Sequence, residues 1–225
     1  MNDFSCYFDP ELFVQESSSA ALIKDLSGKY IISNQKAADM FNITVQDVVG
    51  LNVCDLSDMM DYKNNDFIEP VAKLDYLAMS TGRRSQNSNR VLKTVGGFMR
   101  LEETIKIPVH SSQSKRVTAI LTIAHDKTHT LTKLELLKLY LNEYNRKAAI
   151  TKYLSYLKLD SFFSKTPSLR EFQTLLVCAH SWRYEAVAEK MGITVKAVEK
   201  NIYAVRGKLH SPDLFPIIME LIKSE

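Results

Sequence analysis

The uneven distribution of glycine and proline divides the chain into two regimes. Five of the 7 glycines precede residue 98, whereas the stretch between Pro108 and Pro167 contains neither residue type. Because glycine and proline mark turns and interrupt helices, the first part is predicted to be turn-rich and the later stretch helical. At 225 residues the chain also exceeds the usual size of one domain, so two domains of unequal size are expected.

The turn-rich part has the pattern of an α+β domain. Short apolar runs at residues 20–25 and 29–33 flank Gly28, which predicts a β-hairpin. Asn34 and Thr44 stand where helix caps belong, and a longer helical pattern stops at Gly82. Three segments follow in which β-branched residues alternate with others, as is typical of strands: residues 90–95, 98–107 and 116–125. These elements together predict one antiparallel sheet with two early strands, intervening helices and three late strands.

Residues 131–159 carry the apolar stripe of a helical connector, which we interpret as two helices. Leu134, Leu137 and Leu141 follow the spacing of a coiled-coil seam, but this spacing lasts only about two heptads. Two interpretations therefore stay open. The leucines form the seam of a homodimer, or the helix packs on its own sheet domain.

The C-terminal segment contains three further amphipathic patterns. The first two lie at residues 169–179 and 184–191, and Gly192 ends the second. Thr194 is a predicted N-cap for the third helix, along which Val198, Ile202, Val205 and Leu209 form one apolar stripe. Two helices joined by a short turn that contains Gly are typical of a helix-turn-helix, whose second helix enters the major groove of DNA.

The polar face of that third helix supplies the predicted DNA-binding residues. We expect Lys200 and Tyr203 to face base edges or the groove wall. Glu199 either accepts a hydrogen bond from a cytosine amino group or pairs with a neighbouring lysine. Phosphate contacts are assigned to the basic residues around them. The complete predicted set is Thr194, Lys196, Glu199, Lys200, Tyr203, Arg206 and Lys208.

Residues 168–209 resemble the LuxR-type DNA-binding domain. The resemblance is carried by the start at Leu169-Arg170-Glu171, the centre at residues 186–194 and the end at Lys208-Leu209. It implies a four-helix domain over residues 166–225, with a last helix from about Pro212 to Lys223 that is often used for dimer contacts. The chain departs from the family's usual residues at three positions, which puts individual phosphate contacts in question: Ala197, Asn201 and Gly207.

Residues 18–128 resemble the PAS sensor domains. The similar segments are residues 25–34, 37–41 and 48–51 at the start, and the closing strand with its Asp126-Lys127-Thr128 exit. This resemblance implies a domain that binds a small molecule or a protein partner and changes the state of the attached domain.

The sequence offers little support for cofactor chemistry or catalysis. Cys54 follows Gly50-Leu51-Asn52, near the position of the flavin-reactive cysteine in light-sensing PAS relatives, but it stands one residue late. The histidines around the last strand, His110, His125 and His129, are not expected to bind haem or a metal, because a strand alternates its side chains between two faces and Asp126 beside His125 belongs to the PAS exit motif. No phosphate-binding loop, nucleophile elbow or zinc-protease signature is present. We therefore expect no cofactor, no metal and no enzymatic activity.

These observations predict an N-terminal extension at residues 1–17, a PAS-like domain at 18–130, a connector at 131–165 and a helix-turn-helix domain at 166–225. The expected function is a cytoplasmic homodimeric transcription regulator that binds double-stranded DNA, responds to a small-molecule or protein signal and has no membrane contact. Two alternatives stay open: a protein-interaction module with a scaffold helix-turn-helix, and a sigma-factor-like promoter-binding protein.

Overall fold

The computed structural model describes residues 9–59, 67–111, 113–181 and 183–223. It contains two compact units, Met1–Thr128 and His129–Glu225. The predicted connector, residues 131–165, lies in the second unit together with the predicted helix-turn-helix segment.

The first unit is built on a five-stranded antiparallel sheet. Its strands stand in the order β2-β1-β5-β4-β3. Gly28, with φ 88°, makes the turn of the first hairpin, because a residue with a side chain rarely adopts this conformation. The strand ranges are β1 Ala20–Asp25, β2 Tyr30–Ser33, β3 Ser85–Lys93, β4 Met99–His110 and β5 Val117–Asp126.

Among the described residues of the first unit, five helices accompany this sheet. Two of the three predicted helices start at the predicted caps, since the Asn34 and Thr44 side chains accept hydrogen bonds from backbone amides in the first turn. The third ends at Gly82, as predicted. The first and fourth helices were not predicted from the sequence. The ranges are α1 Pro10–Glu16, α2 Gln35–Phe41, α3 Val45–Val48, α4 Val53–Met59 and α5 Ile68–Thr81.

The sheet is buried on both faces. Leu22 of β1 packs with Tyr30 and Phe41 in one apolar cluster, whereas its neighbour Ile23 packs in a second cluster with Val14 of α1. Successive side chains of a strand point to opposite faces, so β1 serves both clusters. The predicted α+β fold with a PAS-like sheet is confirmed.

The described part of the second unit contains α-helices joined by short loops, and one isolated β-bridge between Phe163 and Leu209. Tyr153 lies at its centre, with its ring centroid 5.0 Å from that of Tyr140 and 5.8 Å from that of Phe172. The Tyr153 hydroxyl donates a hydrogen bond to the Lys133 carbonyl oxygen at 3.0 Å. The helices are α6 Lys133–Glu143, α7 Arg146–Tyr156, α8 Leu169–Cys178, α9 Tyr184–Met191, α10 Val195–Arg206 and α11 Phe215–Lys223.

The connector leucines occupy different environments. Leu137 is 1% exposed and belongs to the core of the second unit, whereas Leu134 and Leu141 are half-buried. A side chain buried in its own chain has no surface left for a partner, so the predicted seam is corrected at Leu137. Within the second unit, α6 and α7 pack against each other and against α8.

Candidate nucleic-acid interface

A short turn joins α9 to α10. Gly192 ends α9 in the left-handed conformation, with φ 63°. Thr194 then caps α10 by accepting a hydrogen bond from the Ala197 amide at 3.2 Å. Only Gly192, Ile193 and Thr194 separate the two helices. This short connection is the one predicted from the sequence.

The apolar stripe predicted along α10 fixes the orientation of this helix. Val198, Ile202 and Val205 are fully or almost fully buried. Because these residues recur at the helical repeat, the opposite face must point outward. Lys196, Glu199, Lys200, Tyr203 and Arg206 are all exposed.

The exposed face of α10 can make the contacts that duplex DNA requires. Tyr203 is 80% exposed, which is unusual for so large an aromatic side chain, and it offers both an apolar ring and a hydroxyl. Lys196, Lys200 and Arg206 supply three cations, against one exposed carboxylate at Glu199. A helix with this face is able to neutralise phosphates and donate hydrogen bonds to base edges.

Lys208 is placed differently from the sequence prediction. Its ammonium group pairs with the Glu171 carboxylate of α8 at 2.6 Å, and its side chain is 27% exposed. Partial burial alone would raise the pKa of Glu171, but hydrogen bonds from Lys208 and Ser168 outweigh burial and hold that pKa below its usual value. Lys208 is therefore reassigned from phosphate binding to joining the end of α10 to the start of α8.

Asn201 makes a second link between these helices. Its side-chain amide donates to the Thr174 hydroxyl of α8 at 2.9 Å, and Thr174 donates to the Arg170 carbonyl oxygen at 2.7 Å. The sequence showed Asn201 only as a departure from the LuxR pattern. The spacing of Ser168 and Glu171 could have revealed the capping box that positions the partner of Lys208.

The interior of the first unit holds a cluster of charged side chains. Asp75 of α5 pairs with Lys24 of β1, and with Lys106 of β4 at 3.0 Å. Lys106 also donates to the Thr122 hydroxyl at 2.9 Å. Desolvation lowers the pKa of Lys106 to about 8, although the Asp75 charge opposes this shift.

A cavity of about 40 Å³ lies beside this cluster. Its lining includes Tyr30, Phe41, Glu102 and Lys106. That volume accommodates little more than one water molecule, so a larger ligand would need the surrounding side chains to move apart. The sequence predicted a sensor domain but none of these polar residues.

The structure shows how the residues considered for cofactors are placed. Cys54 is exposed in the first turn of α4, and its amide donates to the Asn52 side chain at 2.7 Å. His125 contacts the Ser19 hydroxyl at 2.6 Å. Within the described ranges, no cluster of three His, Cys, Asp or Glu residues could hold a metal ion. The helices described there are also too short or too polar to cross a membrane.

Comparisons with known proteins give structural neighbours only. No family model and no curated protein matches the chain. A VqmA–ligand–DNA complex from Vibrio cholera is 18% identical, covers 95% of this chain and 85% of its own, and has a TM-score of 0.45. A phage VqmA–DPO complex is 19% identical, with coverages of 95% and 83% and a TM-score of 0.45.

The PAS domain of a Colwellia psychrerythraea protein is 15% identical, covers 52% of this chain and 92% of its own, and has a TM-score of 0.42. VqmA is described among LuxR-type receptors. The neighbours therefore include a LuxR-type protein and a PAS domain, the two families that the sequence resembles.

Proposed function

We propose that this chain is a cytoplasmic DNA-binding transcription regulator and not an enzyme. The observation that carries the proposal is the outward face of α10, where three cations and Tyr203 are exposed on a helix anchored by Val198, Ile202 and Val205. The helix follows a short turn, as the recognition helix of a helix-turn-helix does.

Binding of the full chain to DNA tests this function directly. Bound fragments selected from a genomic duplex library would give the sequence preference and the spacing of half-sites. The logarithm of the affinity for a selected duplex should fall linearly with the logarithm of the salt concentration, because phosphate contacts release counterions. Absence of salt-dependent duplex affinity would instead support the protein-interaction module.

We expect Lys200→Ala to weaken binding to the preferred duplex by about 1 to 3 kcal/mol and to relax the sequence preference, because Lys200 faces the base edges in this proposal. Fluorescence anisotropy with preferred and scrambled duplexes measures both effects. Lys138→Ala is the matched control, since Lys138 is an exposed lysine of α6. Equal loss in the two variants would contradict the docking of α10.

We infer that the chain dimerises through α11. The LuxR resemblance implied a last helix that is often used for dimer contacts, but Ile217, Ile218 and Leu221 of α11 are buried in their own unit. The outer face of α11 instead exposes three apolar side chains at helical spacing: Phe215, Met219 and Ile222. This face is the part of the helix that a second copy could cover.

The double variant Phe215→Ser/Met219→Ser is expected to sediment as a monomer and to bind a two-half-site duplex much more weakly, because the second contact is no longer intramolecular. Its affinity for a single half-site should not change. The control is Leu12→Ser, which replaces an exposed apolar residue of α1. An unchanged dimer mass in the double variant would exclude this interface.

We further infer that the PAS-like unit receives the signal, as a small molecule or as a protein. The buried polar groups beside its cavity support a ligand that offers hydrogen-bonding atoms as well as apolar surface. A ligand that binds there should raise the thermal stability of the first unit, and above its Kd the stabilisation should grow with the logarithm of the ligand concentration. Screening polar aromatic compounds by thermal shift, with the DNA-binding assay as the second readout, tests this role.

A further inference from the structure

A groove of about 740 Å³ lies in the second unit, and the exposed residues of α10 are not part of its lining. It is formed mainly by the first turns of α7 and α8 and the two residues before α8's cap. Small-molecule sites of proteins have volumes in this range. The lining residues used below include Arg146, Lys147, Ile150, Pro167, Arg170 and Lys208.

The groove carries an excess of positive charge. Four of its lining residues are cationic, and no carboxylate lies among the described residues that line it. Lys208 is neutralised by Glu171, but Arg146, Lys147 and Arg170 are exposed and take part in no ion pair within the part of the chain that the structure describes. Three cations at one concave surface create a positive potential that attracts anions.

The backbone strengthens this potential. Asn145 and Ser168 cap α7 and α8, and each accepts a hydrogen bond from the backbone amide three residues further along the chain, Ala148 and Glu171 respectively. Each N-terminus bears a partial positive charge from the aligned peptide dipoles, and both first turns line the same groove. The cation cluster and the helix ends therefore favour the same sign of ligand.

The floor of the groove is apolar. It is formed by Ile150, which is 2% exposed, by the buried Pro167 and by the half-buried Leu169, all of which line the groove. Arginine binds phosphate with two parallel hydrogen bonds, and the apolar floor offers contact surface for a ring or a chain. A ligand that uses all of these features carries phosphate on an apolar or aromatic body.

We propose that this groove binds phosphate groups, carried by a small molecule of the nucleoside phosphate type. The DNA backbone is the other source of the same chemistry. Either ligand would place its phosphate against Arg146, Lys147 and Arg170, and only the small molecule would also fill the apolar floor.

Isothermal titration of the full-length chain with ATP, AMP and pyrophosphate tests the proposal. We expect the nucleotides to bind more tightly than pyrophosphate, because only they contact the apolar floor. Lys147→Ala and Arg170→Ala should each weaken nucleotide binding about tenfold, the loss expected for one charge-assisted hydrogen bond. Lys138→Ala removes an exposed lysine outside the groove and should have no effect.

Duplex binding by the same variants distinguishes the two phosphate sources. If nucleotides do not bind, but Lys147→Ala and Arg170→Ala weaken all duplexes alike and each reduces the salt slope by about one unit, the groove holds the DNA backbone. If neither nucleotides nor duplexes respond to these variants, the proposal is overturned. The Lys200→Ala experiment is independent of this outcome. Failure of the groove proposal would therefore not affect the proposed role of α10 in DNA binding.

Discussion

Leu137→Ala is expected to lower the free energy of unfolding of the second unit by about 3 kcal/mol. Leu137 is 1% exposed, and it lies on α6 near Tyr140, which is fully buried. Truncation leaves a cavity that close-packed neighbours refill only in part, so the lost transfer energy and the cavity both contribute. Urea unfolding followed by hydrogen exchange of α6, α7 and α8 peptides measures the loss in this unit.

Leu141→Ala on the same helix is the matched control. Its side chain is half-buried, so we expect a loss of about 1 kcal/mol. Under conditions where both variants remain folded, sedimentation should give each of them the same mass as the parent protein. A Leu137→Ala protein that stays as stable as the parent but loses its dimer would restore the coiled-coil seam that the sequence suggested.

Asp75→Asn is expected to destabilise the first unit by about 3 to 5 kcal/mol, the cost of removing one partner from a buried ion pair. Asp75 lies between Lys24 and Lys106, and all three side chains are at least nine-tenths buried. Asparagine preserves the shape but leaves two buried ammonium groups without a counter-charge. Hydrogen exchange of the first-unit peptides in increasing urea provides the measurement.

Asp126→Asn provides a control for loss of a carboxylate. Asp126 pairs with Arg100 at 3.4 Å, but its side chain is 49% exposed, so solvent screening should keep the loss near 1 kcal/mol or below. A comparable loss of stability in both variants would mean that burial of Asp75 does not cause the large effect expected for Asp75→Asn.

The stability deficit of Asp75→Asn should shrink as the pH rises from 7 to 9. Burial lowers the pKa of Lys106 to about 8 from 10.5, and the Asp75 charge works against that shift. Without this charge, the pKa of Lys106 falls further. In both proteins stability rises with pH between the folded and unfolded pKa values of Lys106, because the unfolded chain binds more protons there. This range starts at a lower pH in the variant, so the variant gains stability before the parent does and the deficit shrinks. A deficit that stays constant over this range would contradict a charged Lys106 as its cause.

The sequence by itself determined the elements whose signals are local. The hairpin at Gly28, the caps at Asn34 and Thr194 and the stop at Gly192 each depend on the conformational preferences or the capping hydrogen bonds of residues a few positions apart. The outward face of α10 was also predictable, because the positions of Val198, Ile202 and Val205 fix which side of the helix is buried.

The tertiary structure alone decided which partners the buried side chains meet. An apolar stripe shows that Leu137 is buried but not against what, so a dimer seam and an internal core give the same pattern. Lys208 resembled a phosphate ligand until the fold placed Glu171 beside it, 37 positions away in the chain. Asp75 and Lys106 likewise meet only because α5 packs on β4. Such pairs depend on long-range packing, which leaves no periodic signal in the sequence.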